Sequence, residues 1–147
     1  MSNIKIVTDS SCDIPLSLAH ELGIEIIPMQ LQVGEQIYRA GLDITNDQFY
    51  QLIQDNRSRV SSNSPPSTVF EQTYRRLALE YEYIFSIHLS SRLGGNYRTA
   101  QQARSRLPAS ATRIEIIDSK LASMALGTVV LHAARAVRDG ISPKETA

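Results

Sequence analysis

Four short apolar runs constrain this chain most: Ile4–Asp9, Ile24–Pro28, Tyr83–Leu89 and Ile114–Asp118, each separated from the next by turn residues and helical spacing. Each run has the length of a strand and is too short to stand as a helix. Strands that alternate with helices of this size pair in parallel, because a parallel partner is reached only through a crossover. The expected fold class is therefore α/β, an open, mostly parallel, doubly wound sheet flanked by helices, in a single domain over residues 1–147.

Local signals place the other elements. A helix is expected from about Pro15 to Gly23, since proline suits a first helical turn and glycine ends one. Gln30–Tyr38 alternates about Val33-Gly34-Glu35 and reads as a hairpin or an edge excursion. Thr45-Asn46-Asp47-Gln48 is a capping box that opens a helix to about Asp55. Residues 57–67, rich in Ser, Pro and Asn, read as an ordered turn or loop. Thr68-Val69-Phe70-Glu71 repeats the box pattern and predicts a helix to about Tyr81. A polar helix is expected over Asn96–Arg106, and Ser119 is the expected cap of a long helix ending before Gly140. Ser142-Pro143-Lys144-Glu145 has the form of another helix start, with barely one turn of chain after it. A nucleus without propagation is unfavourable, so the expectation is a chain cut after about Ser142 that continues in the natural protein, with a frayed tail as the plainer reading.

Fifteen basic residues balance fifteen acidic ones, without a Lys/Arg run, which argues against a nucleic-acid partner. Cys12 is the only cysteine, so the chain holds neither an internal disulfide nor a cysteine-based zinc site. No signal-peptide pattern or membrane-length apolar stretch occurs, and the expected location is the cytoplasm.

Ligands of open parallel sheets bind beyond the carboxyl ends of the strands, where three polar loops are expected: Thr8–Asp13 (with Asp9 and Ser10), Ser61–Ser67 and Ser90–Asn96. In the last, Gly94 and Gly95 allow close backbone approach, and the helix from Asn96 aims free amides at the loop, which together make an anion site. From these glycines by themselves a simple turn reads ahead of a ligand site. Catalytic motifs for phosphate loops, dinucleotide binding, nucleophile elbows and zinc peptidases are all missing. His20, His88 and His132 lack metal-ligand spacing. His88, near a strand end, reads as a hydrogen-bonded structural histidine ahead of a general base. Asp9 and Asp118 both end strands, where they can cap loops or hold a magnesium ion. Cys12 lacks a basic neighbour and reads as unreactive. No metal, cofactor or catalytic residue is expected.

In order along the chain, these segments resemble the DegV family. Ile6-Val7-Thr8-Asp9-Ser10-Ser11-Cys12-Asp13-Ile14-Pro15 is similar to the family's opening, and Ile27-Pro28 with Tyr38-Arg39-Ala40-Gly41-Leu42-Asp43-Ile44-Thr45 to its second stretch. Ser62-Asn63-Ser64-Pro65 stands where the family has Thr-Ser-Gln-Pro. Ser90-Ser91-Arg92-Leu93-Gly94-Gly95-Asn96-Tyr97 resembles its Ser-Ser-x-Leu-Ser-Gly-Thr-Tyr loop, and Ile117-Asp118-Ser119-Lys120 its strand end.

The resemblance implies the amino-terminal domain of a two-domain fatty-acid carrier that presents an acyl carboxylate to a fatty-acid kinase. A second domain adds head-group contacts and covers the acyl tunnel. Carried over, the carboxylate contacts fall to Ser62 and to the loop of Gly94, Gly95 and Asn96. Thr8, Asp9, Ser10, Ser61, Arg39, His88, Asp118 and Ser119 are possible supports. Gly94 replaces a serine that supplies one of the family's two carboxylate hydroxyls, Asn96 a threonine, and Ala40 an aspartate. The amides of Gly94, Gly95 and Asn96 remain as donors, with the Asn96 side chain as a substitute for the lost one; losing one charge-assisted bond costs about 1.5–3 kcal/mol. Two other readings stay open. One is a phosphotransferase or hydrolase using Ser62, Asp118 or His88, the other a divergent module that no longer binds lipid. The isolated chain is expected to self-associate through exposed tunnel and interface surface.

Overall fold

The computed structural model describes residues 3–55, 59–108 and 112–142. Strands β1 (Ile4–Asp9), β2 (Glu25–Ile27), β6 (Tyr83–His88) and β7 (Arg113–Asp118) form one sheet in the order β2-β1-β6-β7. Every pairing in it is parallel, with Ile6 opposite Phe85 and Phe85 opposite Glu115. The expected α/β architecture is what the chain adopts.

Because side chains alternate across a strand, Ile4, Ile6, Phe85 and Ile87 bury one face of the sheet against α1 (Leu16–Glu21) and α5 (Ser123–Arg138). Val7, Ile84 and Ile114 bury the other face against α3 (Ser67–Leu77) and α4 (Asn96–Ser105), through Phe70, Tyr74, Leu77, Ala100 and Ala103. The small alanines let α4 lie close to the sheet. On α5, Gly127 is required for contact: a Cβ there would sit 2.4 Å from the carbonyl oxygen of Cys12.

A second, antiparallel sheet, ordered β4-β3-β5, is built from β3 (Gln30–Val33), β4 (Gln36–Arg39) and β5 (Val60–Asn63). The hairpin expected at Gln30–Tyr38 is β3–β4, turned at Gly34 with φ +62°. The expected loop over 57–67 is corrected, because Val60–Asn63 pairs with β3 along its whole length. This strand is exposed throughout and carries no apolar alternation, so the partner strand, not local propensity, makes it.

The capping box at the start of α2 (Asn46–Asp55) closes in both directions, Gln48 N–H to Thr45 Oγ1 at 3.2 Å and Thr45 N–H to Gln48 Oε1 at 2.9 Å. The second expected box does not form. Helix α3 starts one residue earlier, behind Pro66 at φ −57°, without a side-chain cap. It ends at Leu77, and tighter turns carry the chain on to Tyr81. Ser119 does not cap α5, which starts four residues later behind Ala122. The Ser119 hydroxyl instead bonds Leu121 N–H at 3.1 Å, closing a local turn with Lys120 at φ +58°. Helix α5 ends before Gly140 as expected, with Gly140 at φ +82°. The helix start read at Ser142–Glu145 falls, from Pro143 onward, outside the described residues. Among the described residues no helix is long and apolar enough to cross a membrane.

Candidate functional site

The carboxyl ends of β1 and β6 deliver two of the three expected polar segments, Thr8–Asp13 and Ser90–Asn96, and the end of β7 adds Asp118; the third, Ser61–Ser67, belongs to β5 of the small antiparallel sheet and the link to α3. Asp9 ends β1 fully buried, and its carboxylate collects donors from two directions. Oδ1 accepts the amide and hydroxyl of Ser11, while Oδ2 accepts His88 Nδ1–H at 2.9 Å and the Leu89 amide at 3.2 Å. Burial by itself raises the Asp9 pKa. The hydrogen bond and electrostatic pull of His88 outweigh it, with weaker help from Ser11 and Asn96, and hold the group at about 2 against an ordinary 3.8. Ser10 Oγ accepts the Met29 amide at 2.9 Å and so ties the end of β1 to the chain leaving β2.

His88 is also fully buried, with both ring nitrogens engaged. Its Nε2 lies 2.7 Å from Ser86 Oγ, which lies 2.7 Å from the Tyr74 hydroxyl, and the edge of Phe70 meets the ring at 5.3 Å. Burial drives the Tyr74 phenol well above its ordinary range, so it stays protonated and donates. The line Tyr74–Ser86–His88–Asp9 therefore runs through the sheet's α3 face. It has the order of a Ser-His-Asp relay. Ser86 Oγ, however, is closed in on a strand and already shared with Tyr74, so the line has no substrate access and reads as a structural network. Sequence reading gave His88 its structural role but missed Ser86 and Tyr74. The available signal was Ser86 and His88 two apart in an otherwise apolar strand, on one face, where each polar group needs a buried partner.

Asp118 sits at the end of β7 and caps the neighbouring loop. It accepts Ser91 Oγ–H at 2.6 Å, Ser91 N–H at 3.1 Å and Lys120 N–H at 3.0 Å, bonds that lower its pKa. Both strand-end carboxylates thus serve loops. Among the described residues no group of three or more His, Cys, Asp or Glu side chains could hold a metal ion.

In the loop between β6 and α4, Ser90 N–H donates to Leu121 O at 2.9 Å, and Leu93 and Gly94 amides both return to Ser90 O. The Gly94 amide is therefore engaged, which corrects its expected part as a free donor. Gly95 and Asn96 enter the first turn of α4, where a helix provides its own amides with no acceptor. What approaches the two glycines is protein. A Cβ on Gly94 would lie 2.8 Å from Leu89 Cδ2, and one on Gly95 2.9 Å from Ser64 Oγ.

Ser64 is thus the contact through which the Ser61–Pro66 segment reaches the α4 amino terminus. Ser61 and Ser62 lie just before it, exposed on β5, with Ser62 opposite Leu31. Asn96 is fully buried with its side chain facing the interior and not solvent; its amide lies close enough to favour the Asp9 carboxylate but outside hydrogen-bonding geometry. Thr8 Oγ1 is likewise buried without a partner. Arg39 is not gathered into this edge by any side-chain contact: at the end of β4 its guanidinium grips Asp43, Nη2 to Oδ1 at 2.7 Å and Nε to Oδ2 at 2.9 Å. Cys12 is buried beneath α5, and burial with the nearby Asp9 and Asp13 carboxylates pushes its thiol up to about 11. His20 and His132 are exposed on their helices.

Residues 3–147 match a family model described as "Uncharacterised protein, DegV family". A DegV domain-containing protein of Caldanaerobacter subterraneus subsp. tengcongensis is 33% identical over 145 residues, 99% of this chain and 51% of its own length. The structure of DegV from Bacillus subtilis, a fatty acid binding protein, superposes with a TM-score of 0.92 at 28% identity, over 99% of this chain and 51% of that one. A stearic-acid-binding protein from Eubacterium ventriosum gives 0.89 at 26% identity, over 99% and 50%. The chain spans about half the length of the curated relatives it matches.

Proposed function

The chain belongs to the DegV family, and we propose that it forms one wall of a carboxylate site for a long-chain fatty acid. One observation carries the reading. The β5–α3 segment meets the amino terminus of α4 at Ser64 and Gly95, beyond the carboxyl ends of the parallel strands. That is where open α/β sheets bind ligands, and a helix start with unfilled amides favours an anion. The Gly95 and Asn96 amides hold the carboxylate, with the Ser62 hydroxyl as a neighbouring donor. That the Bacillus subtilis and Eubacterium ventriosum relatives are fatty-acid binders supports a lipid ligand.

A second domain of the longer protein completes the head-group contacts and covers the acyl chain. The carrier works in the cytoplasm and presents its bound acid to a fatty-acid kinase. Binding is favoured over turnover, because among the described residues the nearest approach to a catalytic constellation, Asp9–His88–Ser86, is fully buried. The isolated chain exposes Leu16, Ile37, Leu42 and Leu93 and self-associates; sedimentation showing monomer alone at high concentration would contradict this.

Calorimetric titration of the full-length protein with oleate and with oleyl alcohol tests the site. Oleate binding much more tightly than the alcohol supports a carboxylate site. No binding of oleate, or equal binding of the two, refutes it.

A further inference from the structure

We propose that His88 is a positioning residue for the loop Leu89–Asn96, acting through Asp9 without touching the ligand; its consequence for lipid rests on the carboxylate site placed at that loop.

The geometry gives a continuous mechanical path. Asp9 Oδ2 accepts both His88 Nδ1–H and the Leu89 amide, so the histidine fixes the rotation of the carboxylate that anchors the first residue of the loop. The other oxygen is held by Ser11, which leaves the carboxylate one orientation that serves all four donors. Leu89 in turn fills the space over Gly94, where a Cβ would come within 2.8 Å of its Cδ2. Gly94 is bonded back to Ser90, and the next residues open α4. On the other side of the ring, Ser86, itself bonded to the Tyr74 hydroxyl, meets Nε2, and Phe70 packs against the ring at a steep angle, so that end is tied to the α3 face and not to the loop. The His88 carbonyl and the Ser90 amide are also fastened, to Ser119 N–H and Leu121 O. An apolar residue such as the Ile84 of the same strand face would fill this place without desolvating a ring. The polar choice is accounted for by the bond to Asp9.

Two partial mimics, each keeping one nitrogen position, separate the two ends of the ring. His88→Asn keeps an N–H donor near the Nδ1 position and loses the Ser86 contact. His88→Gln keeps an amide near the Nε2 position and loses Asp9. Asn is one methylene shorter than Gln and leaves the larger void, so a purely packing role would make His88→Asn the more damaging of the two. Amide hydrogen exchange is measured on the full-length protein and both variants, alongside oleate titration. In His88→Gln, exchange at Leu89–Asn96 rises about tenfold or more while β1 and β7 are unchanged, and His88→Asn stays within about threefold of wild type. Oleate affinity follows the same order. Indistinguishable variants, or loosening that spreads evenly over the whole sheet, overturn the inference. If wild type shows no oleate binding but the exchange difference appears, the positioning role stands and the carboxylate site falls. If wild type binds oleate and the variants behave alike, the reverse holds. Should neither variant fold, Tyr74→Phe decides, since it loosens the ring only from the Nε2 side. Exchange at the loop within about threefold of wild type supports the inference, and a rise of about tenfold overturns it.

Discussion

Cutting the buried line Tyr74–Ser86–His88–Asp9 in the middle costs more than cutting it at its end. Ser86→Ala removes the hydroxyl that both Tyr74 and His88 use, at 2.7 Å each, and strands a phenol O–H and a ring nitrogen among Phe70 and the α3 face. An unsatisfied buried polar group costs about 1–3 kcal/mol, so the pair costs about 2–6 kcal/mol. Tyr74→Phe strands no donor, because Ser86 can still donate to His88, and the loss is that of one net hydrogen bond, about 0.5–1.5 kcal/mol. The double variant leaves only the His88 nitrogen without a partner and should be more stable than Ser86→Ala alone by about 1–3 kcal/mol, which with the Tyr74→Phe cost makes a coupling of about 1.5–4.5 kcal/mol. Urea unfolding of the full-length protein, followed by far-ultraviolet circular dichroism because this chain contains no tryptophan, measures all three. Tyr74→Phe as costly as Ser86→Ala, or strict additivity in the double variant, would refute the hydrogen-bond logic and leave a cluster held by packing alone.

Four further outcomes follow from the same geometry. Gly127→Ala gains about 1 kcal/mol of helix propensity but pushes a methyl to 2.4 Å from the Cys12 carbonyl, so denaturation should show a net loss. Gly94→Ala displaces Leu89 and costs about 1–3 kcal/mol by overpacking; Leu89→Ala in the same chain relieves that term, and a double-mutant cycle should show it as favourable coupling. Asp9 has a folded-state pKa of about 2 against 3.8, so its stabilisation is full above pH 3.8 and is lost as pH falls towards 2. It amounts to about 2 kcal/mol, and Asp9→Asn should flatten that part of the acid unfolding curve while lowering stability at neutral pH. Cys12, buried with its thiol at about 11, should resist thiol reagents at neutral pH until the protein is unfolded; rapid native labelling would contradict its placement.

Much of the frame was legible because the apolar runs around Ile6, Phe85 and Ile116 can be buried on both faces only in a covered parallel sheet. The Thr45–Gln48 box was legible because both halves of its bond lie within one turn. Val60–Asn63 was not, since nothing local in Val-Ser-Ser-Asn favours a strand, and its pairing comes from Gln30–Val33 far back in the chain. The starts of α3 and α5 were misplaced for the opposite reason. Thr68 and Ser119 have capping chemistry, but Pro66 sets one entry and the positive-φ residues Lys120 and Ser123 set the other. At the site, sequence located the loops but not the directions of their side chains. Asn96 points inward and the Gly94 amide is already bonded, facts decided by the depth of the sheet edge and by Leu89.

The pairing of β5 has a consequence for how this surface can change. Ser61, Ser62 and Asn63 lie opposite Gln32, Leu31 and Gln30, and alternate between the two faces of the small sheet. A slip of one residue against β3 would exchange the faces, presenting Ser61 or Asn63 in the place of Ser62. No apolar stripe in Val60–Asn63 resists such a slip; the Gly34 amide on the Arg59 carbonyl, at 2.9 Å, fastens one end, and Ser64 against Gly95 the other. A single-residue insertion or deletion in the link between α2 and β5 that shifted this register would thus act as a chemical substitution, in one direction trading the Ser62 hydroxyl for the Asn63 amide, without altering any residue of the strand.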